Sequence, residues 1–206
     1  NINKEDIDAI AFTKGPGLLG SLLVGSSFSK SFALGMNIPL ITVNHMQAHI
    51  LSHFIDEGEP TPEFPFLCLT VSGGHTQIVR VDSTSNMEVI GTTLDDAAGE
   101  AFDKSAKILG LPYPGGPLID KYAKNGNILA FEFGKPNIKN LDFSFSGLKT
   151  SIMYKIQNNT QNNPNFIKEN LEDLCASIQH SIVTILLNKL QKSIKQTGIK
   201  EIAIAG

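Results

Sequence analysis

The sequence predicts a two-lobed α/β protein. Three observations carry that expectation. The chain opens with a β-α-β pattern over residues 7–43. An acidic, proline-rich segment, "EGEPTPEFP" at 57–65, then interrupts the regular periodicity. After it come three short apolar runs with turn signals between them, long helical periodicity, and a closing strand. Hydrophobic residues make up 41% of the 206 residues and charged residues 18%. That is enough apolar side chain for a core and too little charge for a disordered chain.

Ile7–Thr13 reads as a strand, and "KGPGLLGS" as a turn built by Pro16 and the glycines. Residues from about 18 to 35 read as a helix whose small residues let it pack closely on a sheet. Ile38–Val43 is a second strand, parallel to the first through a right-handed crossover. His45 to about Ile55 reads as a helix. A linker at 59–65 leaves 1–58 as the first lobe and 66–206 as the second. Phe66–Val71, Thr76–Val81 and Met87–Gly91 form an antiparallel meander, joined by "SGGH" and a polar turn. Helices follow at about Ala97 to Leu109 and at Leu118–Lys124, with "PYPGGP" between them. Residues 132–146 read as loop, "GLKTSIMYKI" as helix, and "NNTQNNPN" at 158–165 as a polar breaker. Residues 166–196 carry helical periodicity in two helices, and Glu201–Ala205 closes as a strand. A three-strand meander, then helices, then a strand is how a ribonuclease H-like lobe begins. Both ends read as internal to a longer protein. Asn1 is not an initiator Met, and "IKEIAIAG" stops where a strand hands over to a loop.

No apolar run reaches the roughly 18–20 residues of a membrane span, and there is no signal peptide. A net charge of −3 supplies no global attraction for nucleic acid. Acids gather at Asp56, Glu57, Glu59 and Glu63, and again from Asp95 to Asp103; solvated surface is their first reading. Cys68 and Cys175 lie far apart in apolar patterns, which predicts free thiols in a reducing compartment.

Three stretches carry chemistry. In "ITVNHMQAHI" (41–50) His45 and His49 are four residues apart, on one helix face and close enough to share a metal. The spacing is common in helices that bind nothing. Its place just after a strand, where α/β proteins hold ligands, favours a site. No Glu follows the first His, so this is not a zincin helix. His53 continues the face at i+8, too far to converge, and reads as a structural or surface residue. In "TVSGGHTQIV" (70–79), Ser72-Gly73-Gly74 offers backbone N–H groups to an anion, or is a plain hairpin turn. His75 reads as a strand residue. In "DDAAGEAFDKSAKILGLPYPGGP" (95–117), Asp96, Glu100 and Asp103 lie on roughly one helix face, suited to ribose hydroxyls, a metal or solvent. "YPGGP" lets a backbone approach a ligand before the helix of Asp120.

"GPGLLGSLLVG", "NHMQAH", "VSGGHTQ", "DDAAGEAFDK", "LGLPYPGGP" and "DFSFSGLKT" stand in the order and spacing of one family. Residues 6–206 resemble the tRNA N6-adenosine threonylcarbamoyltransferases (bacterial TsaD), formerly labelled O-sialoglycoprotein endopeptidase or glycoprotease. The resemblance implies an actin and sugar-kinase-like fold of two ribonuclease H-like lobes, both incomplete here, around a cleft. It implies transfer of a threonylcarbamoyl group from threonylcarbamoyl-AMP to N6 of the adenosine beside the anticodon, in cytoplasmic tRNAs reading codons that begin with A. It carries His45 and His49 over as ligands of one divalent metal, iron or zinc. It carries Thr70, Val71, Ser72, Gly73, Gly74, Asp103, Gly116 and Asp120 over as contacts to the adenylate, and names no general base. The implied partners are tRNA, a paralogous TsaB-like subunit of the same fold and a TsaE-like ATPase subunit, with no membrane. The family's N-terminal phosphate-side loop, a third metal ligand in a "TDNG"-like segment and the Asn of a "GGVSAN" loop fall outside the 206 residues, so the chain alone is expected to be inactive. Two other readings compete. A metallopeptidase lacks its carboxylate in "HMQAH", and a non-catalytic paralogue would be expected to lose the histidines kept here.

Overall fold

The structure is a computed structural model that describes residues 3–55, 58, 60–134, 136 and 138–206. Asp56, Glu57 and Glu59 of the acidic segment, and with Glu59 the start of the linker, lie outside the described residues. The chain divides into two compact units, Asn1–Thr61 with Gly206, and Pro62–Ala205.

In the first unit β1 (Ile10–Gly15) and β2 (Leu40–Asn44) pair in parallel, with Ile10 opposite Leu40 and Thr13 opposite Val43. Between them runs α1 (Leu19–Met36), whose buried residues are Ser29 and Ala33. Small side chains allow that close approach. The helix ends at Asn37, left-handed at φ 53°, whose N–H reaches the carbonyls of Ala33 and Leu34. Leu19, Val24, Phe28 and Leu34 stay exposed along α1. The next helix, α2 (His45–Leu51), is shorter than predicted. A 3-10 turn, Ser52–Phe54, replaces its expected last turn, so His53 leaves the face of His45 and His49.

The second unit holds β3 (Phe66–Val71), β4 (Thr76–Ser83), β5 (Asn86–Thr92) and β6 (Ile202–Ala205), in the order β5-β4-β3-β6. The first three are an antiparallel meander, and β6 pairs in parallel with β3. This is the strand order expected of a ribonuclease H-like sheet. Phe66 to Thr70 are all buried. A central strand covered on both faces reads as an unbroken apolar run rather than an alternation. The remaining helices are α3 (Ala98–Ile108), α4 (Gly116–Ala123), α5 (Ser146–Asn162), α6 (Phe166–Glu169) and α7 (Leu171–Thr197). Leu67, Ile78, Phe143, Ile152, Ile178 and Ile182 belong to the core they build with the sheet.

One expectation is corrected. The predicted breaker begins late: α5 continues through Asn158–Asn162, and the break falls at 163–165, where Asn165 is the N-cap of α6. Asn159 Nδ2 donates to the Lys155 carbonyl and Thr160 Oγ1 to the Ile156 carbonyl, both at 2.8 Å. The polar side chains bond back to the preceding turn and leave the helix intact. Residues 166–196 form two helices as expected, unequal in length: four residues in α6 and 27 in α7. Gly198, at φ 73°, ends α7.

Cys68 and Cys175 are free and buried. Burial pushes the Cys68 thiol up to about 12 and that of Cys175 to about 11. No helix among the described residues is long and apolar enough to cross a membrane.

Candidate functional site

Asn44 starts the histidine helix. Its side-chain oxygen accepts the N–H groups of Met46 at 2.9 Å and Gln47 at 3.1 Å, an N-cap that fixes where the first turn begins. Met46 and Ile50 face inward, which leaves His45 exposed and His49 half-buried one turn apart. Their Nε2 atoms lie 3.1 Å from each other, with the rings edge to face. Two nitrogens each about 2 Å from one ion can be no more than about 4 Å apart, so the pair fits a shared metal. The same separation fits a hydrogen bond between neutral imidazoles. His45 also lines a cavity of 540 Å³ with Thr13, Pro16, Leu18 and Leu22. Among the described residues no group of three or more His, Cys, Asp or Glu side chains converges, so the pair is a two-ligand set.

In the second unit, Ser72 exchanges hydrogen bonds with His75. Its N–H donates to the His75 carbonyl at 2.9 Å, and its Oγ accepts the His75 N–H at 3.1 Å. His75 therefore belongs to the turn, one residue before β4, and not to a strand as predicted. Gly73 and Gly74 are exposed at the tip. Thr70 and Val71 do not share that exposure. Thr70 is buried, with Oγ1 on the Gln77 carbonyl at 3.4 Å, and Val71 packs against the core.

The turn sits on the start of α3. The Ala98 N–H donates to Thr76 Oγ1 at 2.9 Å, and the Gly99 N–H to the Ser72 carbonyl at 3.3 Å. One helical turn on, Asp103 Oδ1 accepts the N–H groups of Gly115 at 2.8 Å and Gly116 at 3.2 Å. Asp103 thus caps the segment that starts α4. A cavity of 460 Å³ opens beside it, lined also by Lys107, Leu111 and Tyr113. Asp120 is exposed, its Oδ1 accepting from Gln179 Nε2 at 3.1 Å and its Oδ2 lying 3.9 Å from Lys124 Nζ.

The acids of 95–103 do not form one face. Asp96 and Glu100 both pair with Lys104, while Asp103 turns to the glycines. Asp95, to which sequence reasoning gave no role, makes the densest contact. It accepts from Ser144 Oγ, the Phe145 N–H at 2.8 Å, the Ser146 N–H at 3.3 Å and Ser146 Oγ at 2.7 Å. Burial opposes its ionisation, but these hydrogen bonds together outweigh it and hold the carboxyl below its usual range. The start of α5 is therefore capped from a segment about fifty residues earlier. The only sequence signal was the pairing of "DD" with the serines of "FSFSG".

Comparison with known proteins places the chain in one family. The model of the tRNA N6-adenosine threonylcarbamoyltransferases (TsaD) matches residues 1–206. A protein of that name from Christiangramia forsetii is 64% identical over all of this chain and 61% of its own length. One from Riemerella anatipestifer is 60% identical, again over 61% of its length. The chain thus spans about 61% of the curated relatives it matches. In structure it is similar to component A of the Acidaminococcus fermentans (R)-2-hydroxyglutaryl-CoA dehydratase. The TM-score is 0.50 at 14% identity, over 98% of this chain and 62% of the other, which shows the fold alone. The fold is of the actin and sugar-kinase-like class.

Proposed function

We propose, from the premise that this chain belongs to the tRNA N6-adenosine threonylcarbamoyltransferase family, that the whole protein is a tRNA-modifying acyltransferase. It would transfer a threonylcarbamoyl group from threonylcarbamoyl-AMP to N6 of the adenosine next to the anticodon in tRNAs reading codons that begin with A. The observation that carries this reading is the match of the family model to the whole chain. The His45 and His49 geometry and the glycine turn support it.

His45 and His49 would hold one divalent metal through Nε2, and imidazole donors suit iron or zinc. A metal bound there supplies Lewis-acid stabilisation of the negative charge that builds on the carbamoyl oxygen as N6 attacks. In the second unit Gly73 and Gly74 present exposed backbone to the adenylate phosphate. Gly116, its N–H already held by Asp103 Oδ1, would be approached at its Cα, and Asp103 and Asp120 would face the ribose hydroxyls, Asp120 in exchange for its Gln179 and Lys124 partners. Because Asp103 Oδ1 already holds two backbone N–H groups, its ribose contact falls to Oδ2. AMP is the leaving group.

The proposed partners are tRNA, a paralogous TsaB-like subunit of the same fold and a TsaE-like ATPase subunit, all in the cytoplasm. The paralogue would dock on α1, where Leu19, Val24 and Phe28 are exposed. The test is nucleoside analysis of tRNA from a cell depleted of its own enzyme and supplied with the full-length gene. Threonylcarbamoyladenosine should return with the wild-type gene and not with the His45→Ala, His49→Ala double variant. Its absence with the wild-type gene, or its full return with the double variant, would count against the proposal.

A further inference from the structure

The five glycines at the proposed adenylate site divide into two kinds. A Cβ built on Gly99 would lie 2.8 Å from the Ser72 carbonyl oxygen and 2.8 Å from Gly73 Cα. One on Gly115 would lie 2.3 Å from Ala106 Cβ and 3.3 Å from Asp103 Cα. Neither fits without moving backbone. Gly73 and Gly74 are the reverse: a Cβ on either meets nothing within 4 Å. One on Gly116 meets only Phe102 Cβ, at 3.8 Å, an ordinary contact. None of these three has a positive φ. Packing explains Gly99 and Gly115, and neither packing nor a positive φ explains the other three.

Gly99, Asp103 and Ala106 follow at i, i+4 and i+7, one face of α3. That face touches the 72–74 turn at its first position and the 115–116 segment at the next two. The N–H groups of Ala98 and Gly99 are already used, by Thr76 Oγ1 and the Ser72 carbonyl, so these two are not left to hold the anion. We infer that Gly99 and Gly115 are positioning residues that set the two glycine segments along α3, where the contacts proposed above for Gly73, Gly74 and Gly116 can form. The inference deepens the adenylate reading and rests on it for the ligand's identity. The positioning half stands on packing alone.

The experiment uses the full-length protein and an unreactive sulfamoyl analogue of the adenylate. Calorimetry reads affinity, thermal unfolding reads stability, and amide exchange reads Ser72 and His75, whose N–H groups are hydrogen-bonded within the turn. Ala at 73, 74 or 116 should leave unfolding unchanged and weaken the analogue by about tenfold or more. Gly99→Ala should accelerate exchange at the two turn amides and weaken the analogue, and Gly115→Ala should weaken the analogue without changing those amides. If Gly99→Ala does not fold, Thr76→Val replaces it, because it frees the Ala98 N–H without adding a Cβ at the contact. Thr76→Val should accelerate the same amides, and Thr76→Ser, which keeps the hydroxyl, should not. Unchanged turn exchange in Gly99→Ala, or in Thr76→Val, overturns the positioning role. Full affinity in Gly73→Ala, Gly74→Ala and Gly116→Ala, while Asp103→Ala loses it, overturns the contact role and leaves the adenylate reading standing. An analogue that fails to bind the wild-type protein overturns that reading and the contact role together, while the exchange arm still decides the positioning.

Discussion

His45 Nε2 and His49 Nε2 lie 3.1 Å apart on consecutive turns of α2. An i,i+4 pair does not reach that separation in every rotamer; both rings have to turn toward one point. The first prediction follows from the size of the set. Two imidazoles leave the rest of a tetrahedral shell to other groups. Zinc titrated into the 206-residue chain should bind at least about tenfold more weakly than to the full-length protein, given that losing even one supporting group costs 10–100-fold. Equal affinity in calorimetry would show that the pair needs no further protein ligand.

Asn44 sets the register of that pair through its N-cap bonds to Met46 and Gln47. Asn44→Ala should cost about 0.5–2 kcal/mol of stability, the range for losing such a cap. It should also lower the metal content of the full-length protein, because the first helical turn carries His45. Asn44→Asp keeps the acceptor and should restore both. A urea titration and metal analysis on the same samples check it, and full metal content in Asn44→Ala would separate the cap from the site.

Asp103 has two predicted tasks that Asn and Ala tell apart. Gly115 is buried, and Asp103→Ala leaves its N–H without a partner, at about 1–3 kcal/mol. Asp103→Asn keeps an acceptor for the cap and should unfold near the wild-type midpoint. Both variants should weaken an unreactive adenylate analogue, Ala by about 1.5–3 kcal/mol, the range for a hydrogen bond to a charged group. Metal content should stay unchanged in both. If Asn binds the analogue as wild type does, the carboxylate serves the cap and not the ribose.

The parts of the fold legible in the sequence are those with local causes. β3 begins and ends where "FLCLTV" does, because a strand buried on both faces writes itself as a continuous apolar run. That His45 and His49 turn to one face of a helix was legible from their spacing. "NNTQN" was misread, because Asn and Thr favour breaks only where their side chains find better partners than the previous helical turn. The common face expected of Asp96, Glu100 and Asp103 failed because partners, not spacing, decide where a carboxylate turns. Lys104 holds the first two, and backbone N–H groups twelve and thirteen residues on hold the third. Asp95 was illegible because every group it binds lies 49 to 51 residues away.

Asp95 also supplies the pH dependence. Folding lowers its pKa, so the hydrogen bonds to Ser144, Phe145 and Ser146 favour the ionised form. A carboxyl with a depressed folded pKa contributes stability that is fully present above the unfolded value, about 3.9. That contribution is lost as pH falls through the folded value. Asp95→Ala removes the acceptor that caps α5 and should cost about 0.5–2 kcal/mol at neutral pH. The lower end is expected, because the group is partly exposed and solvent screens it. The gap between wild type and variant should narrow as pH drops below about 4, where the unfolded chain's carboxyl begins to protonate and the folded one, held lower, does not yet. Asp95→Asn should lie between the two at neutral pH, keeping one acceptor oxygen without the charge. Urea unfolding of all three proteins at neutral pH and at about pH 3 checks the sign. A gap that is the same at both pH values would show that the Asp95 contribution comes from packing and not from the ionised carboxylate.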